Sequence, residues 1–256
     1  MVYLFKVRKE RDEGMFQLTQ EYLNDLMVRM AHHSTAIEGN SLTLGETKSL
    51  LIDNYIPRAM DLREFHEVIN YKAFMPFLVD AVENEVEINH NFIREVHAIL
   101  CKNTIESVPG EFKTIPNMII GADFMPTPPY QVVPALEDWR LNLKAQLQAA
   151  GSYNDEIIAA ICRQHIEFER IHPFSDGNGR VGRALMVYSC LSKKIVPIII
   201  PAENRTEYLS YLAQMDENGL CNFAIRLQKT EKERLQGFQA GTPSKISIND
   251  DHYLCR

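Results

Sequence analysis

Apolar residues recur at spacings of three and four over most of this chain, and each such run predicts an amphipathic helix. Residues 15–40 place Leu18, Tyr22, Leu26 and Met30 on one face, and the pattern stops near Gly39 and Asn40. Thr43 followed three residues later by Glu46 is a capping box, which starts a second helix within residues 43–54. The same period predicts helices over roughly 61–83, 89–106, 134–149, 154–171, 180–193, 204–215 and 218–236. One stretch breaks the rule. Residues 110–134, GEFKTIPNMIIGADFMPTPPYQVVP, hold five prolines, two glycines and a short β-type run, which predicts a hairpin flap over about 110–130 lying on the helices. The expected architecture is mainly α. An N-terminal helical segment (1–60) precedes a core (61–236) that carries the flap, and a loose tail follows (237–256).

Composition agrees with a single large domain: 256 residues, 45% hydrophobic and 24% charged, are enough for a buried core. A net charge of -7 argues against a nucleic-acid binder, and Lys6, Arg8, Lys9 and Arg11 alternate with Glu10 and Asp12 as a solvated segment would. Five scattered cysteines without a CxxC pair offer neither a zinc site nor a disulfide framework. The first residues lack the apolar core of a signal peptide, and the longest apolar run, around IVPIIIPA, is too short to cross a bilayer. The expectation is a cytoplasmic protein without membrane contact.

The candidate chemistry lies in IHPFSDGNGRVGRAL, residues 171–185. Asn154 is expected as an N-cap, with Asp155 and Glu156 at the positive end of the helix. Ile157, Ile161, His165, Phe168 and His172 then share its buried face, and Pro173 stops it. At that C-terminus the helix dipole favours the charged imidazole of His172 by only roughly 0.3–1 kcal/mol, so a neutral general base remains available. Gly177 and Gly179 let successive N–H groups face one point, and a helix restarting at Arg180 adds its own, which together make an anion cradle. Arg180 and Arg183 supply fixed positive charge on one helical face, and Asp176 suits a divalent cation, most simply Mg²⁺ bridging phosphates. Base, cradle, metal carboxylate and arginines together describe transfer from a nucleotide to a hydroxyl.

The order of these residues resembles a known signature. HPFSDGNGRVGR (172–183) matches the Fic (Fido) family motif, His-Pro-Phe-x-Asp/Glu-Gly-Asn-Gly-Arg-x-x-Arg, at every defined position, and the resemblance extends over about residues 15–235. It implies a Fic-type helical domain and a protein adenylyltransferase that moves AMP from ATP onto a Ser, Thr or Tyr hydroxyl. Under that resemblance His172 deprotonates the target hydroxyl and Asp176 binds Mg²⁺. Asn178 and the Gly177 and Gly179 amides hold the α-phosphate, Arg180 and Arg183 meet the β- and γ-phosphates, and Phe174 is an apolar anchor. The flap pairs with an extended segment of the target, which includes a second copy of the chain or the chain itself. ENRTEYLSYL resembles the adenine-side helix and offers Asn204, Arg205, Tyr208 and Tyr211, which read equally well as core residues.

A second match lies in STAIEGN (34–40), where Ser34 and Glu38 fall at i and i+4 on one helical face. It resembles the family's inhibitory helix, Ser/Thr-x-x-x-Glu-Gly/Asn, whose glutamate pairs with the second motif arginine. Here that pair would be Glu38 with Arg183. The resemblance leaves other directions open: removal of AMP, transfer of phosphate or phosphocholine, or a regulatory module without catalysis. Gly179 stands where Doc-like kinases usually carry Lys, which favours AMP transfer. No GxxxxGK[ST] occurs, so a P-loop is excluded.

Overall fold

Thr19 caps the first helix, its hydroxyl accepting from the Tyr22 N–H at 3.2 Å. The computed structural model describes residues 18–104, 108–118 and 124–240. Its helices are α1 (Gln20–Ile37), α2 (Leu44–Leu51), α3 (Leu62–Ile69), α4 (Tyr71–Glu83) and α5 (His90–Leu100). They continue with α6 (Val132–Ala149), α7 (Asn154–Ile171), α8 (Asn178–Ser192), α9 (Arg205–Gln214) and α10 (Glu217–Gln239). Single 3₁₀ turns at Pro129–Gln131 and Ala202–Asn204 lead into α6 and α9. Both halves of the Thr43–Glu46 capping box form.

Two apolar clusters hold these elements together. Tyr22, Leu26 and Met30 of α1 share the larger with Phe74, Leu78, Ile93, Leu136, Phe168 and Val181. The smaller joins Ile157 and Ile161 of α7 to Met186, Tyr208, Leu220 and Phe223. Helix α1 is also tied to α10 by ions: the buried Arg29 guanidinium grips Glu231 with both ends at 2.7 Å, and Tyr22 donates to the same carboxylate at 2.5 Å. The α1 helix is therefore a structural member of the same core as α4, α5 and α8.

Three sequence expectations need correcting. The span 61–83 is two helices meeting at Asn70, whose side chain donates to the Leu100 and Lys102 carbonyls at 3.1 and 2.8 Å. Asn154 is the first residue of α7 rather than its cap, because its amide reaches Gln228 at 3.1 Å; Tyr153 holds the cap position. Among the described residues there is no β-strand, so the hairpin expected over 110–130 is not seen; residues 119–123 of that span lie outside the described residues. Its described arms instead bond sideways to the end of α7, Lys113 N–H to Pro173 O at 2.9 Å and Thr127 N–H to Arg170 O at 3.3 Å. Prolines at 116, 126, 128 and 129 lack the N–H that a ladder needs. In the stretch read as a loose tail, α10 continues through Gln239, with Phe238 edge-on to Tyr22 at 5.8 Å; residues 241–256 lie outside the described residues.

Candidate active site

Pro173 bars a further turn of α7, and His172 takes the left-handed conformation there (φ 49°), its N–H still bonded to Phe168 O at 3.0 Å. Nδ1 of His172 lies 3.2 Å from Glu169 O. A carbonyl only accepts, so Nδ1 carries the proton and Nε2 keeps its lone pair. Burial pushes the imidazole down to about 4, and the Lys113 charge pushes the same way. The helix dipole was expected to favour the charged form slightly; desolvation outweighs it, and the ring is neutral at pH 7.

The turn after His172 is closed by Phe174, the expected apolar anchor, and by Asn178, which the sequence had offered to phosphate. Phe174 is fully buried, its ring stacked on His97 at 3.8 Å. Asn178 accepts from Phe174 N–H and donates to Phe174 O, both at 2.8 Å, so its side-chain amide shapes the turn. His97 accepts from Gly110 N–H at 2.7 Å through Nδ1 and therefore donates through Nε2 to Asp176 O at 3.1 Å. The Asp176 carboxylate is half-exposed. Oδ1 accepts from Gly177 N–H at 2.6 Å, and Oδ2 lies 3.1 Å from Arg63 Nη2 and 3.8 Å from Arg180 Nη2. Gly177 sits at φ 77°, and a Cβ there would collide with Cys101 Sγ. Helix α8 begins at the next residue, and Val181 N–H is bonded back to Gly177 O.

The two arginines diverge. Arg180 is 1% exposed and points inward, Nη1 donating to Thr104 Oγ1 at 3.2 Å and lying 3.9 Å from Glu67 Oε1. Arg183 points at α1, Nε donating to Ser34 Oγ at 3.0 Å and Nη2 to Ser34 O at 2.8 Å and to Glu38 Oε1 at 2.6 Å. Burial opposes the Arg183 charge, but Glu38, Tyr208 and Glu169 together outweigh it and raise the guanidinium pKa. A Cβ on Gly179 would collide with the same Glu38 oxygen and lie 2.9 Å from Arg183 Nη1. Glu38 therefore covers the first turn of α8, where the free N–H groups would meet an anion.

The end of α1 is fixed from three sides. Gly39 leaves the helix at φ 104°, a conformation a side chain would strain. Asn40 donates to Glu67 Oε2 at 3.0 Å, and Arg205 Nε donates to Ile37 O at 2.7 Å. Arg205, offered by the sequence for the adenine side, thus caps the C-terminal end of α1. Tyr208 is fully buried, its hydroxyl 2.7 Å from His165 Nε2 and its ring 6.0 Å from the Arg183 guanidinium. Asn204, just before α9, and Tyr211 within it bond to Glu207 of α9 at 3.2 and 2.8 Å and are not brought to the motif. Behind Arg183, burial raises the Glu169 carboxyl to about 7, and its Oε1 has no hydrogen-bond partner.

Arg63, His97, Thr104, Lys113 and Asn117 all touch the motif or its turn and were not singled out as site residues from sequence. Each lies at least 57 positions from its partner, and no local spacing marks it. Among the described residues no group of three His, Cys, Asp or Glu could hold a metal unaided. A lone half-exposed carboxylate beside an anion cradle fits a cation shared with phosphate oxygens, the usual mode for Mg²⁺.

Neutral imidazole, glycine turn, helix N-terminus and paired arginine thus lie together around residues 172–183. The Fic/DOC family profile matches residues 87–190, and the chain carries a Fic domain. Among curated relatives it is 28% identical over 209 residues to protein adenylyltransferase fic-1 of Caenorhabditis elegans, covering 81% of this chain and 40% of that protein. It is also 28% identical over 195 residues to protein adenylyltransferase Fic of Drosophila willistoni, covering 75% and 37%. The chain thus spans about two fifths of the length of these relatives. Its fold is similar to a Fic-domain-containing signalling protein of Bacteroides thetaiotaomicron (TM-score 0.73, 22% identity, 84% of this chain and 87% of that one). It is likewise similar to Fic-1 of C. elegans (TM-score 0.68, 25% identity, 86% and 70%). No helix among the described residues is long and apolar enough to cross a membrane.

Proposed function

We propose that this chain is a protein adenylyltransferase restrained by Glu38. The observation that carries the reading is the imidazole of His172, neutral, with Nδ1 donating to Glu169 O and Nε2 unprotonated, at the mouth of a glycine turn that opens α8. Nε2 takes the proton of a target Ser, Thr or Tyr hydroxyl, whose oxygen forms a bond to the α-phosphorus of ATP while the bond to pyrophosphate breaks. The N–H groups of Asn178, Gly179 and Arg180 receive the α-phosphate. Arg183 meets the outer phosphates once Glu38 has left it. Asp176 would hold a Mg²⁺ ion, which would supply positive charge to the phosphates.

With Glu38 in place, the guanidinium is engaged and a carboxylate lies over Gly179, so ATP meets like charge where it needs a donor. The flap, 110–130, receives the target; Ile115 and Met118 stand exposed on its described part. Self-modification and a homodimer fit this reading. Intact-mass spectrometry after incubation with ATP and Mg²⁺ tests it: an added AMP supports it, and an added phosphate or an unchanged mass overturns it. His172→Ala must bind ATP but lose the mass increment.

A further inference from the structure

The described segment 111–118 lies along the turn that carries His172. It takes hold of three carbonyls around that residue. Lys113 Nζ donates to Ile171 O at 3.4 Å, Lys113 N–H to Pro173 O at 2.9 Å, and Asn117 Nδ2 to Phe174 O at 2.9 Å. The two side chains are joined, Lys113 Nζ to Asn117 Oδ1 at 2.7 Å. Lys113 is 4% exposed, and burial alone pushes its amine down to about 8, so it remains largely cationic at neutral pH. Phe112 packs on Phe174 at 5.3 Å, while the Arg94 guanidinium lies over the Phe112 ring and Arg94 Nε holds Gly110 O at 2.7 Å. One face of the segment is thus anchored, while Ile115 and Met118 face outward.

A buried lysine without an acid is held at a cost, and a left-handed histidine carries backbone strain. Such a residue persists only when its surroundings fix it, and here the surroundings are these bonds. The groups acting on the His172 ring are the Glu169 carbonyl from α7, Lys113 from this segment, Glu38 from the end of α1 and Asp176 from its own turn. Lys113 is the one cation in that set, and it opposes a proton on Nε2.

We infer that Lys113 and Asn117 are positioning residues for His172, clamping the turn that aims its imidazole and joining the exposed Ile115–Met118 edge to the base. The inference rests on the AMP-transfer reading, so its test has an arm that does not. In the Glu38→Gly chain, single-turnover AMP incorporation by Lys113→Met should fall about tenfold or more in kcat, with KM for ATP within about twofold. Lys113→Arg should restore most of the rate, and Asn117→Ala should show the same kcat-only loss. Separately, with no nucleotide present, the His172 ring resonance, assigned by its absence from His172→Gln, should titrate at higher pH in Lys113→Met and return in Lys113→Arg. A rate and titration unaffected by both substitutions overturn the clamp. So does a loss that Lys113→Arg fails to restore. A shifted titration without any AMP transfer keeps the clamp and removes the transfer reading instead.

Discussion

Glu38 Oε1 and Arg183 Nη2, 145 residues apart in the chain, lie 2.6 Å from each other, and Ser34 holds the same guanidinium through its hydroxyl and its carbonyl. Arg183 is buried while the Glu38 side chain is 40% exposed, so the carboxylate can leave more easily than the arginine. Glu38→Gly should raise incorporation of labelled AMP by about tenfold or more, equivalent to roughly 1.4 kcal/mol of barrier. Incorporation equal to that of the unaltered chain would discard the restraint.

The buried trio of Tyr22, Arg29 and Glu231 ties α1 to α10. Glu231→Ala leaves Arg29 with only Asp25 at 2.8 Å, and breaking such a pair from one side costs about 3–5 kcal/mol. Urea denaturation should show that loss, and Glu231→Gln should lose less because Tyr22 and Arg29 keep a hydrogen-bonding partner. An unchanged midpoint for Glu231→Ala would show the trio to be energetically idle.

Gly182 faces Glu169 and His165: an added Cβ would collide with Glu169 Oε1 and lie 2.9 Å from His165 Cε1. Gly182→Ala should lower stability by about 1–3 kcal/mol, the usual effect of overpacking an interior. A melting temperature equal to the parent would mean that Glu169 moves aside freely.

Stability should fall in mild acid. Burial depresses His33 and His165 to about 3 and His97 and His172 to about 4, so each stays unprotonated in the folded state where the unfolded chain takes up a proton. Their contribution is present above the unfolded value near 6.5 and is lost as pH falls toward those folded values. Glu169, raised to about 7 by burial, has the opposite sign: its contribution is present below about 4.5 and lost as pH rises through 7. The histidines dominate between these limits, so the melting temperature should drop from pH 6.5 to 4.5. Glu169→Gln should make that drop steeper; a shallower one would contradict the assignment.

Arg63 lies 3.1 Å from the Asp176 carboxylate that would hold a cation. Both groups are half-exposed or more, so the pair is weak and the competition modest. Arg63→Ala should tighten Mn²⁺ binding with nucleotide by up to about fivefold in electron paramagnetic resonance titrations. Equal affinities would show that Arg63 does not compete.

Much of this could be read from the chain because its signals are local. Capping at Thr43, the face running from Ile157 to His172 and the glycine turn before α8 all depend on neighbours within a few residues. The Glu38–Arg183 pairing came from two motifs recognised together. What escaped was non-local. Asn154 lost its cap to Gln228, Asn70 split a helix by reaching the end of α5, and Arg205 turned toward Ile37. The flap was read from its prolines, which mark where a ladder cannot form but not that Lys113 and Asn117 bond to the His172 turn. For His172 itself, burial is a property of the packed fold, and it reversed the direction that helix-end reasoning gave.

The helix bearing Glu38 also supplies Leu23, Leu26 and Met30 to the interior. Under the proposed restraint, detaching it to free the arginine would expose the heart of the molecule, so release would be confined to a side-chain swing or to the last turn before Gly39. A movement that small would leave the scaffold whole.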